Sequence, residues 1–220
     1  LIFGSGLVGA LVYCFSDTFW FSAVEAEVYA MSSFFTAIVI WCMTKWYEQK
    51  DRNYANRWIV LIFFLMGLSI GVHLLNLLAL PAIVFMYYYK KREGGHYSFW
   101  EYVKIMLLSI VILGLLVFIL VPYLPKIAGY FDLFFVNVLH LPFNSGAAFF
   151  VALLIGLCFW GLFKTLRTNK VLINTVLLCF TSIIIGFSIF SIVIIRSSVK
   201  TPTNENQPDN AFSLARYLSR

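Results

Sequence analysis

The residues of this chain that are equipped for chemistry fall in a few places. Glu25 and Glu27 stand in FWFSAVEAEVYAMSSFF, residues 19–35, at the head of an apolar run, with Tyr29 close behind. Carboxylates take or orient protons and hold hydroxyls or cations. They also settle at helix N-termini, where the dipole stabilises them by about 0.3–1 kcal/mol. In a helix, residues two apart diverge by about 200°, so the two glutamates do not form one acid–base couple, and at most one faces a shared cavity. Tyr29, one turn after Glu25, shares its face.

His73 and Asn76 lie in GLSIGVHLLNLLALP, three residues apart and so on one helical face. A lone His is commonly a neutral imidazole bonded to backbone, but deep in an apolar run it is also a candidate for lining a substrate cavity. Arg196 and Lys200 follow the last apolar run. They either snorkel at a membrane surface or hold an anionic group such as a lipid phosphate, which the Arg fork suits. Asp132 reads as a solvated residue of a surface helix. Cys14, Cys42, Cys158 and Cys179 are widely separated, with no CxxC and no Cys/His cluster, so they read as small core residues and no metal site is expected.

These residues need an apolar scaffold to hold them. Of the 220 residues 61% are hydrophobic and only 12% charged, and the mean hydropathy is +0.88, far outside the range of soluble domains. The expected fold is all-α, a polytopic transmembrane helix bundle. The net charge of +6 sits in short clusters beside apolar runs rather than along one face, which argues against nucleic acid as a partner and for the bilayer.

Apolar runs cover residues 1–15, 28–44, 58–89, 103–121, 147–163 and 171–195. A single helix over 58–89 would be about 48 Å long, too long for a hydrocarbon layer of about 30 Å, so two short crossings joined by a turn fit better. Loop charges agree. Lys45, Lys50, Arg52 and Arg57, then Lys90, Lys91, Arg92 and Lys104, then Lys164, Arg167 and Lys170 all fall on one cytoplasmic side only if 58–89 crosses twice.

About seven membrane segments follow, with the loops at 15–27 and 122–146 and the C-terminus outside. The short hairpin leaves a tip near Gly67, Gly71 and His73 that must be packed in protein or line a wet cavity. The stretch 122–146 is amphipathic and is expected to lie in the interface plane. Asn210 is expected to cap a helix beginning AFSLARYLSR. The domain division is therefore a membrane bundle over 1–195 and an extracytoplasmic loop over 196–220 that begins a following soluble region. The opening LIFGSGLVGA starts inside an apolar segment, so the chain reads as a fragment of a longer polypeptide truncated in its first span.

Together, FWFSAVEAEVYAMSSFF, GLSIGVHLLNLLALPAIVF and TPTNENQPDNAFSLARYL resemble a bacterial multi-spanning family, long a domain of unknown function, grouped with the transmembrane protein O-mannosyltransferases of the GT-C glycosyltransferase superfamily. The resemblance spans nearly the whole chain. It implies an enzyme of a bacterial cytoplasmic membrane that moves a sugar, mannose-like, from a polyprenyl-phosphate carrier to a protein or other acceptor on the extracytoplasmic side. It implies a lipid-linked sugar as donor and no other cofactor. The catalytic acid of such enzymes lies in the first outer loop, expected upstream of residue 1. Glu25, Glu27, Tyr29, His73, Asn76, Arg196 and Lys200 are then substrate-binding candidates. Two alternatives stand beside this reading: a transporter or flippase of a lipid-linked glycan, since broken helices are also a transporter device, and a non-catalytic membrane scaffold.

Overall fold

The computed structural model describes residues 1–25, 28–49, 54–91, 98–199, 202 and 204–219. Glu27 and Lys200 lie outside the described residues, as do Lys50, Arg52, Arg92 and His96. Among the described residues there is no strand: the chain is an all-helical membrane bundle.

Helix α1 (Ile2–Cys14) bends by 60° into α2 (Asp17–Val24), so the expected outer loop at 15–27 is largely helical. Asp17 stands in the first turn of α2, where the free N–H groups favour a carboxylate. Next come α3 (Tyr29–Glu48) and α4 (Asn56–Ile70), then a 3-10 turn (Leu74–Leu78) leading into α5 (Ala79–Lys91). The two-arm reading of 58–89 therefore holds. Its arms, however, make few contacts with each other, and α3 packs against both.

Helix α6 (Phe99–Gly114) passes through a π-wound stretch (Leu115–Leu120) into α7 (Val121–Asn137) without a break. This corrects the expectation that the chain turns aside at Pro122 into a separate interfacial helix. Pro122 falls in the first turn of α7 and Pro125 inside it. A proline ring strikes the carbonyl four residues back in ordinary α winding, and the wider π turn ahead of Pro122 relieves that clash. Helices α8 (Ser145–Arg167), α9 (Val171–Phe187) and α10 (Phe190–Ser198) follow, α9 and α10 being separated by a short slip at Ser188 and Ile189. Helix α11 (Ala211–Leu218) closes the order, with Asn210 Oδ1 accepting from the Ser213 N–H at 2.9 Å, the cap expected from sequence.

Three of these helices, Phe99–Asn137, Ser145–Arg167 and Val171–Ser198, are long and apolar enough to cross a membrane, and the bent α1–α2 pair makes a fourth. Large apolar side chains such as Phe118, Phe159 and Trp160 are exposed along them, as expected of surfaces that meet lipid. Lipid tails are as apolar as Leu, so helix association rests on close packing rather than on removal from water. The best-packed centre is α4, whose Ile62, Met66 and Ile70 are buried between Val39 and Met43 of α3 and Ile183 and Phe187 of α9. Cys42, Cys158 and Cys179 are buried and Cys14 is exposed.

Helices α4 and α9 run parallel: Ile59 near the start of α4 clusters with Cys179, and Gly67 near its end meets Gly186. Trp46 at the end of α3 stacks on Tyr87 of α5, and Tyr89 of α5 meets Tyr102 of α6. The basic loops thus gather at one end of the bundle. The α2–α3 junction and the hairpin tip gather at the other.

Candidate functional site

One stripe of α3, exposed at Tyr29 and buried or half-buried from Ser32 onward, changes character along its length. At the end away from the basic loops it presents Tyr29, Ser32 and Thr36, at i, i+3 and i+7; toward those loops it presents Val39, Met43 and Trp46. The hairpin tip packs on the polar half. The Tyr29 and His73 rings lie 5.9 Å apart between centroids and tilted by 47°. About two turns further along, the Thr36 hydroxyl stands 3.0 Å from the Ser32 carbonyl and 3.1 Å from Asn76 Oδ1, its one proton shared between two acceptors.

The tip itself is a broken helix. Gly71 ends α4, and a Cβ there would stand 2.7 Å from Ile189 Cγ2, so the turn seats against the α9–α10 slip. His73 takes an extended conformation (φ −161°, ψ 136°) and caps the 3-10 turn, its Nδ1 accepting from the Leu75 N–H at 3.0 Å. A ring nitrogen that accepts carries no proton, so the neutral ring bears its proton on Nε2. The extended step at His73 also undoes the expected helical face shared with Asn76. His73 is half-buried beside Tyr29, whereas Asn76 is 1% exposed beside Thr36.

The Asn76 Nδ2 is buried without a partner. Turning the amide over would leave Oδ1 alone instead, so one half of this group is unsatisfied in either orientation. Such a group costs about 1–3 kcal/mol. It is the one buried amide at the tip with hydrogen-bonding capacity to spare.

Glu25 is placed differently from expectation. It is exposed and extended (φ −70°, ψ 147°), and its N–H closes the last turn of α2 on the Phe21 carbonyl at 3.0 Å. It therefore stands past the C-terminus of α2 rather than in the first turn of α3, and neither the dipole argument nor a helical face shared with Tyr29 applies. Arg196 is exposed in the last turn of α10, where a cation suits the helix carbonyls. The structure thus joins Tyr29 to His73 and Asn76 to Thr36, and leaves Glu25 and Arg196 apart from both pairs.

Sequence reasoning missed Thr36 and Ser32, although the spacing 29, 32, 36 on a helix that ends in Val39, Met43 and Trp46 carries the signal. It misread Asp132, which is buried rather than solvated. Its Oδ1 accepts from the Gly146 N–H at 3.1 Å, capping α8 from another helix in place of Asn144, which is left-handed (φ 69°) and makes no side-chain cap. Gly146 packs directly on the Phe131 and Asp132 backbone, an approach that any Cβ would block. Beside it, a cavity of about 330 Å³ opens between α7 and α11, lined by Gly129, Asp132, Asn137, Phe143 and Asn210. No cluster of three or more His, Cys, Asp or Glu capable of holding a metal occurs among the described residues.

The fold and this polar tip define an integral membrane protein with a set of hydrogen-bonding groups at the end opposite its basic loops. Residues 1–95 match the family model described as the Protein O-mannosyl-transferase TMEM260 N-terminal domain, which relates this part of the chain to the protein O-mannosyltransferases. The match runs from α1 through α5 and takes in Glu25, Tyr29, Thr36, His73 and Asn76; Asp132, Arg196 and the 201–218 tail lie beyond it. No curated protein and no solved structure matches the chain.

Proposed function

We propose that this chain is part of the membrane domain of a GT-C-type glycosyltransferase of a bacterial cytoplasmic membrane. It moves a mannose-like sugar from a polyprenyl-phosphate carrier to a hydroxyl of a protein or glycan acceptor on the extracytoplasmic side. The observation that carries this is the family match over residues 1–95, the segment that builds the polar tip.

In the reaction, the acceptor oxygen forms a bond to the anomeric carbon while the bond from that carbon to the carrier phosphate breaks. The electron pair leaves with the phosphate, and a carboxylate takes the acceptor proton. Glu25 stands apart from the tip, so the carboxylate that takes that proton is not one of the groups the tip assembles. The residues present bind and orient: His73 Nε2–H, the Tyr29 hydroxyl and the spare Asn76 amide are donors for sugar hydroxyls. Arg196 stands seven residues, about 10 Å along a helix, beyond Ile189, against which the Gly71 turn seats, and with Lys200 it serves the carrier phosphate.

The discontinuous helices at the hairpin tip and the α9–α10 slip also suit a flippase of a lipid-linked glycan, which is the second reading. Full-length protein in detergent, given labelled polyprenyl-phosphate mannose and a peptide acceptor, separates the two. Label on the peptide is the expected result. No transfer with any of several donor sugars, together with movement of a lipid-linked glycan across liposomes, overturns the first reading in favour of the second.

A further inference from the structure

A recess lies toward the end of the bundle opposite the polar tip, and the proposed transfer reaction makes no use of it. Because α4 and α5 splay apart, a cleft of about 520 Å³ opens between them, backed by Met43 and Trp46 of α3. Helices α6 and α9 line its two sides and do not pack on each other, so it opens sideways between them. Rim residues Leu108, Leu172 and Val176 are exposed.

The walls are almost wholly apolar, Thr175 being an exception whose hydroxyl bonds its own helix at the Val171 carbonyl. Protein interiors are close-packed, and a roomy recess without polar partners does not hold water. In a bilayer, a lateral opening of this kind admits hydrocarbon.

Cations stand at the basic end of the lining helices, Lys104 on the lining face of α6 and Lys170 at the head of α9, off the face that Leu172 presents. Lys104 stands one turn before Leu108 and two before Ile112 on α6. Lys170 stands at the start of α9, two residues before Leu172, and forms no ion pair among the described residues. Lys90 is tied to the cleft's back wall, its Nζ donating to the Trp46 carbonyl at 2.6 Å and lying 3.7 Å from the Trp46 ring centroid. Of the described acids at this end, Glu48 pairs with Lys45 and Glu101 accepts from the Ser98 N–H at 3.3 Å. An apolar slot open to lipid and headed by lysines is complementary to one class of ligand.

We propose that this cleft binds an anionic phospholipid from the leaflet at the basic-loop end. One acyl chain lies between α6 and α9, and the phosphate sits at the mouth between Lys104 and Lys170. The site is independent of sugar transfer and stands or falls separately from it.

The test uses the full-length protein in nanodiscs with a phosphatidylglycerol carrying a photoreactive group on its acyl chain. Labelling is expected on cleft-wall peptides of α5, α6 and α9, competed by unlabelled phosphatidylglycerol and not by phosphatidylcholine. Val176→Trp, at the exposed rim, is expected to reduce that labelling severalfold with the thermal transition unchanged. The double variant Lys104→Gln/Lys170→Gln is expected to raise the competing phosphatidylglycerol concentration about tenfold or more. Equal competition by phosphatidylcholine, label spread over the outer faces of α1 and α8, or stronger competition by polyprenyl phosphate would each overturn the proposal. If Val176→Trp does not fold, the competition series on the wild type decides alone.

Discussion

Gly67 of α4 and Gly186 of α9 bring two helix backbones into direct contact. A Cβ on Gly67 would stand 2.5 Å from the Ile183 carbonyl oxygen, and one on Gly186 would stand 2.6 Å from the Phe64 carbonyl oxygen. Both obstacles are backbone, so neither can swing aside, and in a membrane such small-residue crossings supply much of the packing that holds helices together. Gly67→Ala and Gly186→Ala are each expected to lower stability by about 1–3 kcal/mol, read as a fall in thermal transition in detergent. Gly156→Ala, with nothing within 4 Å of its Cβ, is the control and is expected to leave the transition unchanged. Equal behaviour of the three would contradict the crossing.

The cap that Asp132 places on α8 has its own signature. Asp132→Ala is expected to cost about 0.5–2 kcal/mol and to speed hydrogen exchange at the Gly146 amide. Asp132→Asn keeps an acceptor in reach and should lose less. Unchanged exchange at Gly146 in the alanine variant would mean that α8 is capped by some other group.

His73 is asked to hold the 3-10 turn through a single acceptor, Nδ1 to the Leu75 N–H. Asparagine performs the same service at helix starts, and leucine does not. His73→Asn should therefore preserve slow exchange at the Leu75 amide, and His73→Leu should raise it and cost about 1 kcal/mol. Equal exchange in both variants would show that the cap does not hold the turn.

The helical membrane class, the two short arms within 58–89 and the Asn210 cap were legible in the sequence because each rests on a local rule: hydrophobic length, loop charge and side-chain chemistry at a helix start. Helix continuity at Pro122 was not, because the π winding that admits the ring leaves no compositional trace. The tip was half legible. His73 and Asn76 were visible as polar residues in an apolar run, but their partners are set by where α3 lies. Tyr29 and Thr36 answer them across 44 and 40 residues of chain. Asp132 was misread because an acid between aromatics signals solvent unless the helix packed against it is known.

The gathering of basic loops at one end predicts which side reacts with a membrane-impermeant thiol reagent. In a background with Cys14→Ser, single cysteines placed at Glu25 and Glu205 are expected to label from outside intact cells, and one placed at Asn169 only after permeabilisation. Asn169 lies in the turn between α8 and α9, beside Lys170. External labelling at 169 would invert the topology, and with it the side on which the tip lies.

Asn76 separates a structural from a functional role at the tip. The Thr36 hydroxyl keeps the Ser32 carbonyl as an acceptor when the amide is removed, so Asn76→Leu leaves no new unsatisfied donor and removes one that already lacked a partner. Exchanging a half-satisfied buried amide for an apolar side chain of similar size is expected to be near neutral or stabilising. If the amide instead serves a sugar hydroxyl, the same variant loses that bond in the transfer assay, where one hydrogen bond is worth about 0.5–1.5 kcal/mol, or roughly a two- to tenfold loss. The expected outcome is therefore a thermal transition at or above that of the wild type together with slower mannosyl transfer. A stable variant with undiminished transfer would remove Asn76 from the site, leaving Tyr29 and His73 as the groups to test next.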